Sequence, residues 1–255
     1  ARRGRAPARM SWLDLAVLAV MLLSMAWGLW RGLVHEVISL AAWVIALAVG
    51  ALVGTVRTTG LRWLAFAGSL YVELFRNIPL IVQMFLWFFV VPELLPTAMG
   101  DWVKQMPPPW GMFVPAVLCL AIFTSVRVAE QVRAGIQSLP RGQMMAGTAL
   151  GLTLAQSYRQ VILPQSLRII LPPLTSEFLN CIKNSSVALT IGVMELTARA
   201  RAMQEFSFQV FEAFAAATVI YLLANRVVVL GMRWVEARVR VPGLIGAAQA
   251  PQASH

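Results

Sequence analysis

Histidine, cysteine and charge are all scarce in this chain of 255 residues, and each shortage removes a class of function. His35 and His255 are the only histidines, so one chain cannot assemble a histidine-based metal site or a Ser-His-Asp arrangement. No G-x-x-x-x-G-K-[ST] loop occurs, which removes nucleotide hydrolysis by this polypeptide. Cys119 and Cys181 both fall inside apolar runs and read as buried thiols, not as a disulfide framework. No metal and no cofactor is expected. Charged residues make up 13% of the chain and hydrophobic residues 59%, the balance of an integral membrane protein.

The net charge of +10 does not point to nucleic acid. The arginines sit at the ends of apolar segments, and no aromatic residues alternate with them as a base-stacking platform requires. Six segments approach the roughly 20 residues that a membrane helix needs: about 12–30, 37–56, 70–91, 112–132, 167–189 and 208–230. With both termini inside, the inner regions collect Arg2, Arg3, Arg5, Arg9, Arg57, Arg62, Arg76, the arginines of 133–168, Arg233, Arg238 and Arg240. The outside keeps Arg31, Lys104, Arg199 and Arg201, an asymmetry that orients the chain. Pro92, Pro96 and Pro107 to Pro109 predict a rigid non-helical link over 92–110. No small-residue cleavage site ends the first apolar run, so a cleaved signal peptide is not expected. Trp27, Trp30, Trp63, Trp87, Trp102, Trp110 and Trp234 fall near segment boundaries and read as interfacial anchors.

The polar interruption from Arg133 to Arg168 is too structured for a plain connector. Gln143 to Leu150 and Thr153 to Val161 each predict a short helix of good formers, with Gly151 permitting a reversal between them and Pro164 stopping the second. Such a helix-turn-helix at the membrane surface suits a loop on which a soluble partner pushes. The adjacent Met144 and Met145 offer it adaptable apolar contact.

Ala146, Gly151, Leu163 and Pro164 stand at the spacing of the EAA signature of ATP-binding cassette importer permeases, with Met145 in place of its Glu, Gly147 in place of its second Ala and Val161 in place of its Ile. EQVRAGIQSLPRGQ (Glu130 to Gln143), YVELFRNIPLIVQMF (Tyr71 to Phe85) and PPLTSEFLNCIKNSSVALTIG (Pro172 to Gly192) are similar to the polar amino acid branch, and together they resemble the permease subunits of glutamate/aspartate importers. The resemblance covers about 41–241. It implies an all-α polytopic fold, the type I transmembrane domain of about five core helices, here preceded by one extra helix. It also implies transport driven by a separate ATPase dimer that grips the loop through Met144, Met145, Ala146, Gly147, Gly151, Leu163 and Pro164. The further partners would be a second permease chain, identical or homologous, a periplasmic amino-acid-binding protein and membrane lipid. The chain itself would be no enzyme, and it would lie in the bacterial inner membrane with its C-terminus in the cytoplasm.

Residues 10–44 resemble instead the start of a colicin V production family membrane protein, the alternative reading. The expected organisation is a basic arm at 1–11, an extra helix and turn at 12–36, the permease domain at 37–241 with its coupling loop at 133–168, and a tail at 242–255. An ion-driven secondary transporter would leave the loop signature unexplained and shows no inverted repeat.

Polar residues at membrane depth mark the candidate path, because a charge at the helix centre costs roughly 2.5 to 3.5 kcal/mol on insertion scales. Helical spacing puts Glu177, Asn180 and Asn184 on one face with Lys183 and Ser185 alongside, while Arg127 and Glu130 lie one turn apart. An acidic substrate would seek Arg127 or Lys183. Equally open is a structural reading, in which Arg127 pairs with Glu130 and Asn180 bonds a neighbouring helix.

Overall fold

The computed structural model describes residues 37–239, and within them every regular element is a helix. The first predicted segment, the arm, the tail, Trp27, Trp30 and His35 lie outside the described residues. Three described helices are long and apolar enough to cross a membrane, or four if a bent pair forms one span.

The first is α1 (Val37–Val56). It packs along α5 (Trp110–Gln137) through a stripe of small residues four apart: Ala42, Ala46, Gly50 and Gly54, all buried. A Cβ on Gly50 would lie 2.6 Å from the Cβ of Val128, and one on Gly54 would lie 2.6 Å from the Ala129 carbonyl oxygen. The two backbones are therefore in direct contact, the arrangement that small-x-x-x-small spacing permits between apolar helices. Trp43 closes the other side of α1 by stacking on Phe178 at a centroid separation of 5.0 Å. Cys119 and Cys181 are both buried thiols, as expected.

The predicted segment 70–91 is not one straight helix. It is α2 (Arg62–Arg76) followed by α3 (Leu80–Leu94), with a bend of 101° between them. Pro79 removes the donor that would continue the helix and disfavours helical backbone at Ile78. Gln83 then fastens the bend: its buried amide donates to the carbonyls of Phe75 and Ile78 at 2.8 and 3.0 Å.

Pro164 does not stop its helix either. α7 runs over 154–184, with α-helix at Leu154–Ser157 and Leu163–Asn184 joined by a π-helical turn at Tyr158–Ile162. The N–H of Leu163 bonds the Tyr158 carbonyl five residues back, so the turn immediately before Pro164 is widened and its carbonyls clear the proline ring. The same device recurs in α3. There a π-turn at Leu86–Val90, with Val91 N–H on the Leu86 carbonyl, directly precedes Pro92.

The predicted non-helical link at 92–110 is also partly helical, because Val91–Leu94 completes α3 and α4 (Thr97–Lys104) follows. Proline needs no N–H at a helix start, and Pro96 sits at the N-cap of α4. After α7 come a 3₁₀ turn (Ser185–Ile191), α8 (Leu196–Ser207) and α9 (Val210–Val239). Trp63, Trp102, Trp110 and Trp234 are well exposed, whereas Trp87 packs against the core.

Candidate functional site: the helical loop and the charged interior

The loop between α5 and α7 is built by local chemistry. α6 (Arg141–Ala149) ends in a Schellman arrangement: Gly151 has φ of +77°, its N–H bonds the Thr148 carbonyl, and Leu152 N–H bonds the Gly147 carbonyl. Glycine alone adopts that torsion without strain. Two residues later Thr153 opens α7 with a capping box, its hydroxyl accepting from Gln156 N–H while the Gln156 side chain accepts from Thr153 N–H. The hairpin is close-packed because Gly147 is buried, and a Cβ there would sit 2.9 Å from the Ser157 hydroxyl.

One side of this hairpin is fastened and the other is open. The Tyr158 hydroxyl donates to the Thr58 carbonyl at 2.7 Å, tying α7 to the turn after α1. Gln165 reaches Gln143 at 3.3 Å. Met145, Leu150 and Leu154 point outward at 65, 81 and 51% exposure, and Ala146 is exposed beside them. The two methionines divide: Met144 is half-buried against the core and does not share the exposed face expected for it. Successive residues of a helix lie about 100° apart, and here the edge of the exposed face falls between Met144 and Met145. Leu163 also packs against the core, whereas Pro164 is exposed.

The interior charges pair differently from the expected Arg127–Glu130 bridge. Glu130 binds Arg57 at 2.6 Å and Arg133 at 2.9 Å. Arg57 also donates to Ser69 at 3.2 Å, so one side chain links the end of α1 with α2 and α5. Its stem fits because Gly68 has no side chain; a Cβ there would lie 2.8 Å from Arg57 Cγ. Arg127 turns to α7, where it meets Glu177 at 3.7 Å and lies over the Phe123 ring at 4.8 Å. That ion pair is too long for a hydrogen bond, and Glu177 Oε2 is buried without one. Arg127 lies ten residues, or about 15 Å, from the loop end of α5.

Asn180 and Asn184 are half-buried on the Glu177 side of α7, while Lys183 is exposed and forms no ion pair among the described residues. Ser185 is buried, its hydroxyl donating to the Ile182 carbonyl at 2.7 Å. The structure thus brings Arg127 and Glu177 together and moves Glu130 into a separate cluster at the loop end.

Several contributors do not stand out among the sequence candidates. The small-residue stripe of α1 is nonetheless in plain view in its four-residue spacing. Glu195 is fully buried and caps α8 by accepting from Thr197 and Ala198 N–H and from the Tyr221 hydroxyl; its signal is an acidic residue just ahead of a helical run. Arg57 carries no such signal, because its partner is 73 residues away.

Residues 46–241 match the family described as binding-protein-dependent transport system inner membrane component. The glutamate/aspartate import permease protein GltJ of Escherichia coli (strain K12) is 49% identical over 220 residues, covering 86% of this chain and 89% of that protein. The glutamine transport system permease protein GlnP of the same strain is 33% identical over 196 residues, covering 76 and 84%. A solved amino acid ABC transporter with histidines superposes with a TM-score of 0.71 at 27% identity, covering 86% of this chain and 97% of the other. An inward-facing MetNI methionine ABC transporter gives 0.65 at 19% identity, covering 86 and 99%, a likeness of fold. The resemblance to a colicin V production protein rests on 10–44, most of which lies outside the described residues.

Proposed function

The chain belongs to the family of binding-protein-dependent transport system inner membrane components, and from that premise we propose that it carries glutamate or aspartate across a bacterial inner membrane. It is an amino-acid permease subunit of an ATP-binding cassette importer. The substrate assignment rests on the 49% identity, over most of both chains, to a glutamate/aspartate permease.

The α6–α7 hairpin is the handle. A separate ATPase dimer seats against Met145, Ala146, Leu150 and Leu154, and its closure on ATP displaces a hairpin that Gly147, Gly151 and the Thr153 cap keep rigid. Because α7 is continuous through Pro164, that displacement passes directly into the helix bearing Glu177, Asn180, Lys183 and Asn184. The Tyr158 bond to Thr58 and the Arg57–Glu130–Arg133 cluster carry it into α1, α2 and α5. In this reading the loop end faces the cytoplasm, and a binding protein delivers the amino acid at the opposite end. A second permease chain, identical or homologous, completes the path, ATP hydrolysis is left to the ATPase, and lipid surrounds the exposed apolar face of α9.

Arg127 is the residue suited to an acidic side chain. It lies at membrane depth, is only loosely compensated by Glu177, and remains 44% exposed at its side chain. An incoming carboxylate would gain a charge-assisted partner there. Lys183, on α7 beyond Glu177, offers a second cation. The proposal takes the permease domain as 37–241, with its coupling loop at 133–168.

Reconstitution tests the reading. The chain, assembled in liposomes with its ATPase, second permease and binding protein, should take up L-glutamate or L-aspartate in step with ATP hydrolysis. Uptake of neither, with another amino acid transported by the same vesicles, would refute the substrate assignment.

A further inference from the structure

The bend between α2 and α3 holds charge that belongs to neither the hairpin nor the Arg127–Glu177 pair. Each arm has 15 residues, and the chain turns through 101° between them. With a rise of about 1.5 Å per residue, each arm is about 22 Å long and the pair extends about 29 Å from end to end, close to the ~30 Å hydrocarbon thickness. α2 meets Arg57 at its middle, through Gly68 and Ser69, near the loop end of the bundle. It then climbs α5, with Val72 packed on Val126 and Ala129 and the Tyr71 hydroxyl 2.7 Å from that of Ser125. α3 ends beside Gly111, Met112 and Pro115 at the other end of α5. Taken as one broken span, which its length and apolar composition allow, the pair puts its break near mid-depth.

Glu73 and Arg76 stand at that break, so Arg76 leaves the group of inner-side arginines in which hydropathy alone placed it. They are exposed, one turn apart on one face of α2, and neither enters an ion pair among the described residues, with each other or with any other group. Charges at mid-depth are not left against lipid; they face water, protein or a ligand. The break around them is a built feature. Asn77 donates to the Glu73 carbonyl at 2.8 Å, Gln83 fastens the carbonyls of Phe75 and Ile78, and Gln83 Oε1 is buried with no donor among the described residues. Interrupted helices at membrane mid-depth supply polar groups where solutes pass.

We propose that Glu73 and Arg76 bind the zwitterionic head of the transported amino acid, its ammonium on the Glu73 carboxylate and its α-carboxylate on the Arg76 guanidinium. The opposite charges one helical turn apart match the two ends of that head, and binding it leaves the local net charge unchanged. Arg127, on α5, is left to select the side chain, so the constant and variable parts of the substrate have separate readers. This inference rests on the importer reading.

The test uses the complete transporter in liposomes, with L-glutamate as probe, and equilibrium binding of labelled L-glutamate to the solubilised permease–ATPase complex without binding protein. Glu73→Gln and Arg76→Gln should each lower binding and uptake tenfold or more while the complex still assembles, Arg76→Lys should retain part of both, and glutarate, which has no ammonium, should not displace the label from the unaltered complex. Normal binding and uptake in both Gln variants would overturn the site. So would assembly lost in each single variant and restored by the exchange Glu73→Arg with Arg76→Glu, which would make these residues partners of the second permease chain. Failure of the unaltered complex to take up any amino acid would instead sink the importer reading, and the site with it.

Discussion

Replacing Gly151 separates the handle from the rest of the fold. Its φ of +77° is required by the Schellman turn, yet no atom lies within 4 Å of where a Cβ would be. A side chain there therefore meets no steric barrier and introduces only backbone strain, roughly 1 kcal/mol for a residue forced into left-handed backbone. At RT of about 0.59 kcal/mol that strain lowers the closed hairpin about fivefold against opened alternatives, too little to unfold a bundle held by the α1–α5 and α5–α7 contacts. Aspartate adds a negative charge beside the exposed Leu150 and Leu154 face, where an apolar partner surface would have to desolvate it. Asparagine has the same shape without the charge and tolerates left-handed backbone better than most residues. The expected order of coupling loss is Gly151→Asp greatest, Gly151→Ala intermediate and Gly151→Asn least, with assembly of the complex preserved in all three. Substrate-stimulated ATPase activity and uptake, normalised to assembled complex, measure it. Normal stimulation and uptake in Gly151→Asp would refute the argument that this turn transmits the stroke.

Lys183→Met should lower transport of an acidic amino acid by about 1.5–3 kcal/mol, the range for a charge-assisted hydrogen bond. Detergent thermal stability should hold, because Glu177 pairs with Arg127 and is not orphaned by the change; unchanged uptake per assembled complex would remove Lys183 from the path. Gly54→Leu should destabilise by about 1–3 kcal/mol through overpacking, since even its Cβ would meet the Ala129 carbonyl and Val132. A melting temperature in detergent equal to that of the unaltered chain would contradict the close α1–α5 approach. Deleting residues 1–31 should leave uptake substantially intact, because the family match begins at residue 46 and α1 is long enough to cross unaided. Complementation of a transport-deficient strain, with membrane abundance checked alongside, decides it; lost uptake at normal abundance would give the deleted segment a role.

Features encoded over a few neighbouring residues are legible in the amino-acid sequence. The apolar runs at 37–56 and 112–132 are α1 and α5, because hydrophobic length dictates a membrane helix wherever it packs. The reversal at Gly151 is legible for a similar reason: a glycine between two helix-forming stretches needs no distant partner to turn the chain. Sequence and fold part where hydropathy or local rules are silent. Hydropathy carries no direction, so the single apolar stretch over 70–91 conceals a 101° bend that Gln83 fastens from within the next helix. Pro164 and Pro92 end helices under a local rule, and in the fold a widened turn ahead of each lets the helix continue. The charged groups are visible as residue types, but their pairing is decided by three-dimensional proximity. Glu130 has Arg127 one turn away and takes Arg57, 73 residues distant in the turn after α1, because the missing side chain at Gly68 leaves room for the arginine stem. Arg127 is thereby left to face Glu177 across α5 and α7, a juxtaposition that exists only once those helices have packed.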